Sequence, residues 1–255
     1  MFWRSVVTAA AFALATGAAA PSPSVDYVVE PVFKSGALDA LKVTLRFAGD
    51  ADGETALELP NSWGGEDELD GAVHDLSVRG AAMRAGDKPF LRILSHKPNA
   101  RLVATYLLRQ ERPGAPDAAK GDNYRPFIQP GFFHVLGWTS YARPQRDLLS
   151  TTARLSFRGA PQGWRFASDT EHHAATTLHA VLESVAVGGD FDILTPKNGA
   201  APGLRVAIRG DKWGFDKQDF ADRVGAILSA EREYWGDPDE PYLVTLLPLA
   251  APDAG

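Results

Sequence analysis

The 255 residues contain no cysteine, which excludes disulfides, thiol nucleophiles and cysteine-ligated metals together. Basic residues are also in deficit: 26 Lys and Arg stand against 32 Asp and Glu, a net charge of −6. That balance argues against nucleic acid or an anionic membrane as a partner. No stretch reaches the about 18 apolar residues of a spanning helix, so an integral membrane protein is not expected. The chain also lacks a His-Glu-x-x-His run and a Gly-x-Ser-x-Gly elbow, the compact signatures of zinc hydrolases and of many serine hydrolases. What it does have is core material. A hydrophobic content of 45% with 10% aromatics supplies one large domain or two smaller ones without covalent staples.

Residues 1–20 carry one basic residue, Arg4, then the apolar run Val6 to Leu14, then the small residues Thr16-Gly-Ala-Ala-Ala20. This is the layout of a secretory signal peptide, with cleavage expected within Gly17 to Ala20 because Pro21 disfavours a cut after Ala20 itself. A periplasmic or secreted mature protein is the resulting expectation.

From Val25 to about Arg158 the hydrophobic period is two, the mark of half-buried strands. Leu41, Val43, Leu45 and Phe47 alternate with Lys42, Thr44 and Arg46, and the turn cluster Gly49-Asp-Ala-Asp-Gly53 leads to Glu54–Leu59. These two runs are expected to form a hairpin. Leu102, Ala104, Tyr106 and Leu108 share another face, with shorter runs at Val73–Val78, Phe90–Leu94, Phe132–Leu136 and Arg154–Phe157. Such spacing predicts a mainly β fold, an antiparallel sandwich or saddle over 21–174. Glu111–Asn123 reads as a polar loop. Tyr124 to Trp138 crowds five aromatics around two prolines and two glycines, which predicts ordered, non-helical backbone.

Beyond Ala174 the pattern becomes mixed α/β. Leu178–Val187 fits a strand or a short helix, while Phe191–Leu194 and Leu204–Ile208 fit strands. One long amphipathic helix follows, capped by Asp216, with Phe220, Val224, Ile227, Leu228 and Trp235 on one stripe and Gly236 and Pro238 at its end. Tyr242–Leu249 is a last apolar strand, offering an edge for self-association.

Candidate chemistry is sparse. Glu171-His172-His173 with His179 has no metal-ligand spacing and reads as a solvated loop. His134 is expected to be a hydrogen-bonded structural histidine on the same strand face as Phe132, and His74 and His96 stand singly among strands. Ser62-Trp-Gly-Gly65 is not a nucleophile elbow. Glu66-Asp-Glu-Leu-Asp70 and Asp237-Pro-Asp-Glu240 lack calcium-loop spacing and read as solvated turns. Gly64-Gly65 and Gly188-Gly-Asp190 read as tight turns. Carbohydrate binding through Trp63, Trp138 and Trp164 is a third possibility that rests on aromatic content alone, which core packing explains as readily.

Several segments together resemble the N-terminal domain and the start of the thermolysin-like catalytic domain of glycyl-aminopeptidase-type zinc metallopeptidases. They are Tyr27-Val-Val-Glu-Pro31, the Leu41–Leu59 segment, Leu59-Pro-Asn-Ser-Trp-Gly-Gly65, Gly131-Phe-Phe-His-Val-Leu-Gly137, Leu204-Arg-Val-Ala-Ile-Arg-Gly210, the helix ending in Tyr234-Trp-Gly236, and Pro241-Tyr-Leu-Val-Thr-Leu-Leu-Pro248. The resemblance implies an N-terminal β domain at 21–174 and the opening α/β part of a catalytic domain at 175–255. It implies zinc and a peptide substrate for a full-length member, whose His-Glu-x-x-His helix would follow the position of Gly255. No position here matches a catalytic residue or zinc ligand, so the expectation is no catalytic, cofactor-binding or metal residue in this chain. The Trp-Gly-Gly turn departs from the Trp-Thr-Pro-Gly-Ser-Tyr form of better-known members and points to a divergent branch. The expected role is therefore scaffold or substrate access for an exported aminopeptidase. The alternative is a complete periplasmic β-rich binding or interaction module.

Overall fold

The computed structural model describes residues 24–112, 114–116, 124–170, 175–197, 199–237 and 240–248. The signal-peptide segment, most of the Glu111–Asn123 loop, and His172 and His173 lie outside them. In chain order the strands are β1 (Ser24–Lys34), β2 (Ala37–Ala48), β3 (Glu54–Glu58), β4 (Val73–Arg79), β5 (Ala82–Ala85), β6 (Leu91–Ser95), β7 (Arg101–Leu108), β8 (Phe127–Gln129) and β9 (Phe132–Leu136). They continue as β10 (Arg143–Pro144), β11 (Thr152–Phe157), β12 (Arg165–Ser168), β13 (Thr176–Thr177), β14 (Val185–Gly189), β15 (Phe191–Leu194), β16 (Leu204–Arg209) and β17 (Tyr242–Leu246). Helices are α1 (Gly137–Ser140), α2 (Leu178–Glu183) and α3 (Lys217–Trp235). The fold is mainly β.

The period-two runs become strands because each hides alternate side chains. In β2, Leu41, Val43, Leu45 and Phe47 are buried, and in β7 so are Leu102, Ala104, Tyr106 and Leu108. Both belong to a six-stranded sheet ordered β13-β11-β1-β2-β7-β4. The expected hairpin between Leu41–Phe47 and Glu54–Leu59 does not form. Both edges of β2 are occupied by β1 and β7, so β3 joins a second sheet ordered β10-β3-β6-β5. Leu57 and Leu59 from the β3 run, with Leu94 of β6, share one buried cluster with the first sheet. The first sheet is not wholly antiparallel, because β11 runs parallel to β1.

Three buried tyrosines bind this core to the α1 segment. Tyr27 donates to the Ala142 carbonyl at 2.9 Å and Tyr106 to the Ser140 carbonyl at 2.9 Å, while the Ala142 N–H donates back to the Tyr106 hydroxyl at 3.1 Å. The Tyr27 and Tyr141 rings lie 5.3 Å apart. Burial pushes all three phenols above their ordinary range, so they stay neutral, and Tyr27 and Tyr106 serve as donors.

A third sheet, β12-β14-β9-β8, is shared between two cores. Phe133 and Val135 of β9 and Ala186 of β14 enter the large cluster, whereas Phe132 and Val187 point to the opposite face. Leu178, Val181 and Leu182 of α2 also enter the large cluster, so by packing the β-rich part extends past Ala174 to β14. Segment 178–187 is thus helix and then strand, satisfying both patterns read in it. Gly188 is required by close approach: a Cβ there would sit 2.3 Å from the Phe133 ring and 2.6 Å from Phe166.

The fourth sheet, β15-β16-β17, lies against the outer face of the third. Its central strand is buried on both sides. Ala207 faces the third sheet, while Leu204, Val206 and Ile208 face α3. Asp216 caps α3 by accepting from the N–H groups of Gln218 and Asp219, each at 2.9 Å. Gly236, left-handed at φ 71°, ends it by donating to the Arg232 carbonyl at 2.8 Å. Pro238 lies outside the described residues. The expected apolar stripe is only half right: Phe220, Val224 and Leu228 are half-buried, but Ile227 is 60% and Trp235 72% exposed. The face in closest contact is Ala221, Gly225 and Arg232. Small residues let the helix approach, and a Cβ on Gly225 would sit 2.6 Å from Pro196.

Tyr106→Phe leaves the Ser140 carbonyl and the Ala142 N–H without their partner in the core. Urea unfolding is expected to show a loss of about 1–3 kcal/mol. Asp216→Ala removes the α3 cap, and the same measurement should lose about 1 kcal/mol.

Candidate functional site

The seam between the third and fourth sheets holds a set of buried polar groups. Its apolar floor is Phe132, Ala167, Val187, Phe191, Ala207 and Leu243. At one end Arg205, on β16 and only 7% exposed, donates to the Ser168 carbonyl. Burial lowers its pKa, and nearby Asp169 opposes that shift. Asp169 is raised by burial, while the Val185 N–H at 3.3 Å, the Ser168 hydroxyl at 3.3 Å and Arg205 pull it back down. At the other end Arg209 makes two bonds to Asp190, at 2.7 and 3.1 Å, and its guanidinium lies 4.1 Å from the Phe132 ring centroid.

His134 sits in the same seam. It shares a face with Phe132, as the alternation of β9 requires, and its Nε2 lies 3.1 Å from the Thr245 hydroxyl of β17. Burial pushes its pKa down to about 4, so the ring is neutral at pH 7 and acts as a hydrogen-bonded spacer between sheets. This matches the structural role read from the sequence.

The other candidates do not converge. His179 pairs with Glu183 one turn along α2, at 3.6 Å. His74 is exposed on β4. His96 closes a small network in which its Nε2 lies 2.9 Å from the Thr55 hydroxyl, which is itself 2.8 Å from Asp50, while Arg146 donates to Asp50 at 3.0 Å. Its Nδ1 faces the Lys97 carbonyl at 2.8 Å and must carry a proton there. The Thr55 hydroxyl donates to Asp50 and its oxygen lies against His96, an arrangement that fixes the Asp50–Thr55 turn.

The segment around Ser62 closes as a tight turn, with paired bonds between Trp63 and Glu66 at 2.9 and 3.0 Å. Trp63 stacks on Trp138 at 5.2 Å and 9°. Arg143 lies 4.8 Å from the Trp138 ring, and the Trp138 indole donates to Glu183 at 2.7 Å. Trp164 packs edge-on against Phe33 instead, so the three tryptophans are not gathered into one platform. Glu66 corrects the reading of its acidic run as solvated. Its side chain is 11% exposed and lies 2.5 Å from Arg125, which also binds Glu111 and the Asp67 carbonyl. Arg125 lies 59 residues further along the chain, beyond the reach of any local pattern. Gly188-Gly-Asp190 is also no simple turn: both glycines end β14, and only Asp190 links it to β15. Of the Asp237–Glu240 run, residues 238 and 239 lie outside the described residues, and the Glu240 carbonyl accepts from Arg232.

Among the described residues no group of three or more His, Asp or Glu side chains could hold a metal ion.

The architecture itself has relatives of known structure. An aminopeptidase N family protein from Idiomarina loihiensis superposes with a TM-score of 0.62 at 11% identity, over 86% of this chain and 38% of that one. The M1 zinc metallopeptidase from Deinococcus radiodurans superposes at 0.51 and 16% identity, over 90% of this chain and 57% of that one. A mutant of that enzyme bound to a Tyr-Ser-Ala substrate gives 0.52 at 18% identity, with the same coverage. The fold is that of the amino-terminal part of the M1 metallopeptidases. The chain spans between 38% and 57% of the length of these structures. No protein-family profile matches it, and no curated protein sequence matches it. This M1-type fold bears out the aminopeptidase resemblance carried by the segments from Tyr27 to Pro248.

Because the His134 pKa lies below the ordinary 6.5, the unfolded chain binds more protons than the folded one between those values. Stability is therefore expected to fall as pH drops from about 6.5 to about 4, by at most about 3 kcal/mol. Denaturation midpoints across this range should lose that component of the slope in His134→Gln.

Proposed function

We propose that this chain is the non-catalytic scaffold and substrate-access portion of an exported zinc aminopeptidase-like protein. The observation that carries the reading is the match of 86–90% of the chain to the amino-terminal part of M1 metallopeptidases, combined with the lack of a metal-donor cluster among the described residues. Zinc and peptide hydrolysis then belong to a full-length form. There the chain orients a peptide and shields it from water, while metal and general base act from outside these residues. Export rests on the layout of residues 1–20 and places the protein in the periplasm or outside the cell.

A second reading, a β-rich binding or interaction module, draws on one observation. The fourth sheet is covered on both faces, by the third sheet and by α3, so its core closes among the described residues.

Purified chain with added zinc is expected to release no amino acid from aminoacyl-anilide or tripeptide substrates, and zinc titration calorimetry should show no stoichiometric site. Chelator-sensitive aminopeptidase activity would overturn the proposal. Mass spectrometry of the exported protein should place its new N-terminus at Ala18, Ala19 or Ala20.

A further inference from the structure

The outer face of α3 carries Ile227 at 60% and Tyr234 at 78% exposure, and at its start lies half-buried Phe220, which packs against the core beneath α3 and stacks on Phe215. Arg223 and Glu231 are exposed on the same face, and neither has an ion-pair partner among the described residues. At about 100° per residue, Phe220, Arg223, Ile227, Glu231 and Tyr234 follow one line along the helix. That line is symmetric about Ile227. Arg223 and Glu231 lie four residues to either side, and Phe220 and Tyr234 lie seven.

We propose that this face binds a second copy of the chain, with α3 packed antiparallel against α3 of the partner on a two-fold axis at Ile227. In that arrangement each Arg223 stands level with the partner's Glu231, each Phe220 with the partner's Tyr234, and Ile227 meets its own copy. A parallel pairing would set Arg223 beside the partner's Arg223 and Glu231 beside the partner's Glu231. Charge therefore selects the antiparallel form, and a patch complementary to itself is what a closed two-fold dimer requires. One helix pair is a small interface, so association is concentration-dependent rather than permanent. The surface differs from the β17 edge expected from the sequence. Leu243 of β17 is buried toward the third sheet, and Val244 and Leu246 pack toward α3.

This inference goes beyond the peptidase reading and depends on α3 alone. Sedimentation velocity on the whole chain from about 1 to 300 µM should show a mass rising toward that of a dimer. Ile227→Glu is expected to abolish the rise. Arg223→Glu and Glu231→Arg should each weaken association about tenfold, and the double reversal should recover it to within about threefold. All three positions are exposed, and circular dichroism melts confirm that each variant folds. A monomer at every concentration, a dimer insensitive to Ile227→Glu, or a double reversal no better than the single variants would each overturn the proposal. The face would then be left to another occupant, such as the remainder of a longer peptidase. Aminopeptidase assays read a different property, so either conclusion can fail alone.

Discussion

Strand β9 has to satisfy two cores at once. Phe133 and Val135 point into the large cluster formed with the first two sheets, while Phe132 and His134 point into the seam with the fourth. A strand's side chains alternate strictly, so a slip of one residue would exchange these sets and place the imidazole in the apolar core. The paired strand β14 obeys the same constraint, with Ala186 on one side, Val187 on the other, and Gly188 clearing the Phe133 ring. The β-rich part and the α/β part therefore meet through one shared sheet whose register fixes both.

The seam contains charged groups at both ends. Arg205 and Asp169 are both shifted toward neutrality by burial, and each partly restores the other. Such groups contribute little net stability, because desolvation offsets their attraction. They do penalise other arrangements of the two sheets, since displacing either partner strands the other. Arg209 extends the same logic at the rim, bonding to Asp190 while lying over Phe132. These pairs hold the third and fourth sheets in one relative orientation.

Local patterns carried much of the fold. The alternations in β2 and β7, the Asp216 cap, the Gly236 stop and the shared face of Phe132 and His134 were legible because each depends on residues within a few positions. The hairpin was misread because the turn at Gly49–Gly53 joins two sheets rather than two neighbouring strands, and only the presence of β7 beside β2 decides that. The stripe on α3 differs from the expectation because Ala221 and Gly225, too small to stand out in a stripe of large apolar side chains, are the residues that permit close packing. Glu66 was misread because Arg125 is remote in sequence.

Composition and spacing by themselves determined a cysteine-free, mainly β chain with one long helix near its end and no compact catalytic motif. The resemblance in several short segments pointed further, to an aminopeptidase architecture. Tertiary structure alone decided which strands share a sheet, which acidic groups are buried, and which helix face remains open to solvent. The reason is physical: a strand or helix advertises its period through neighbouring residues, but its partner, and so the burial of each face, is set by contacts between segments far apart in the chain.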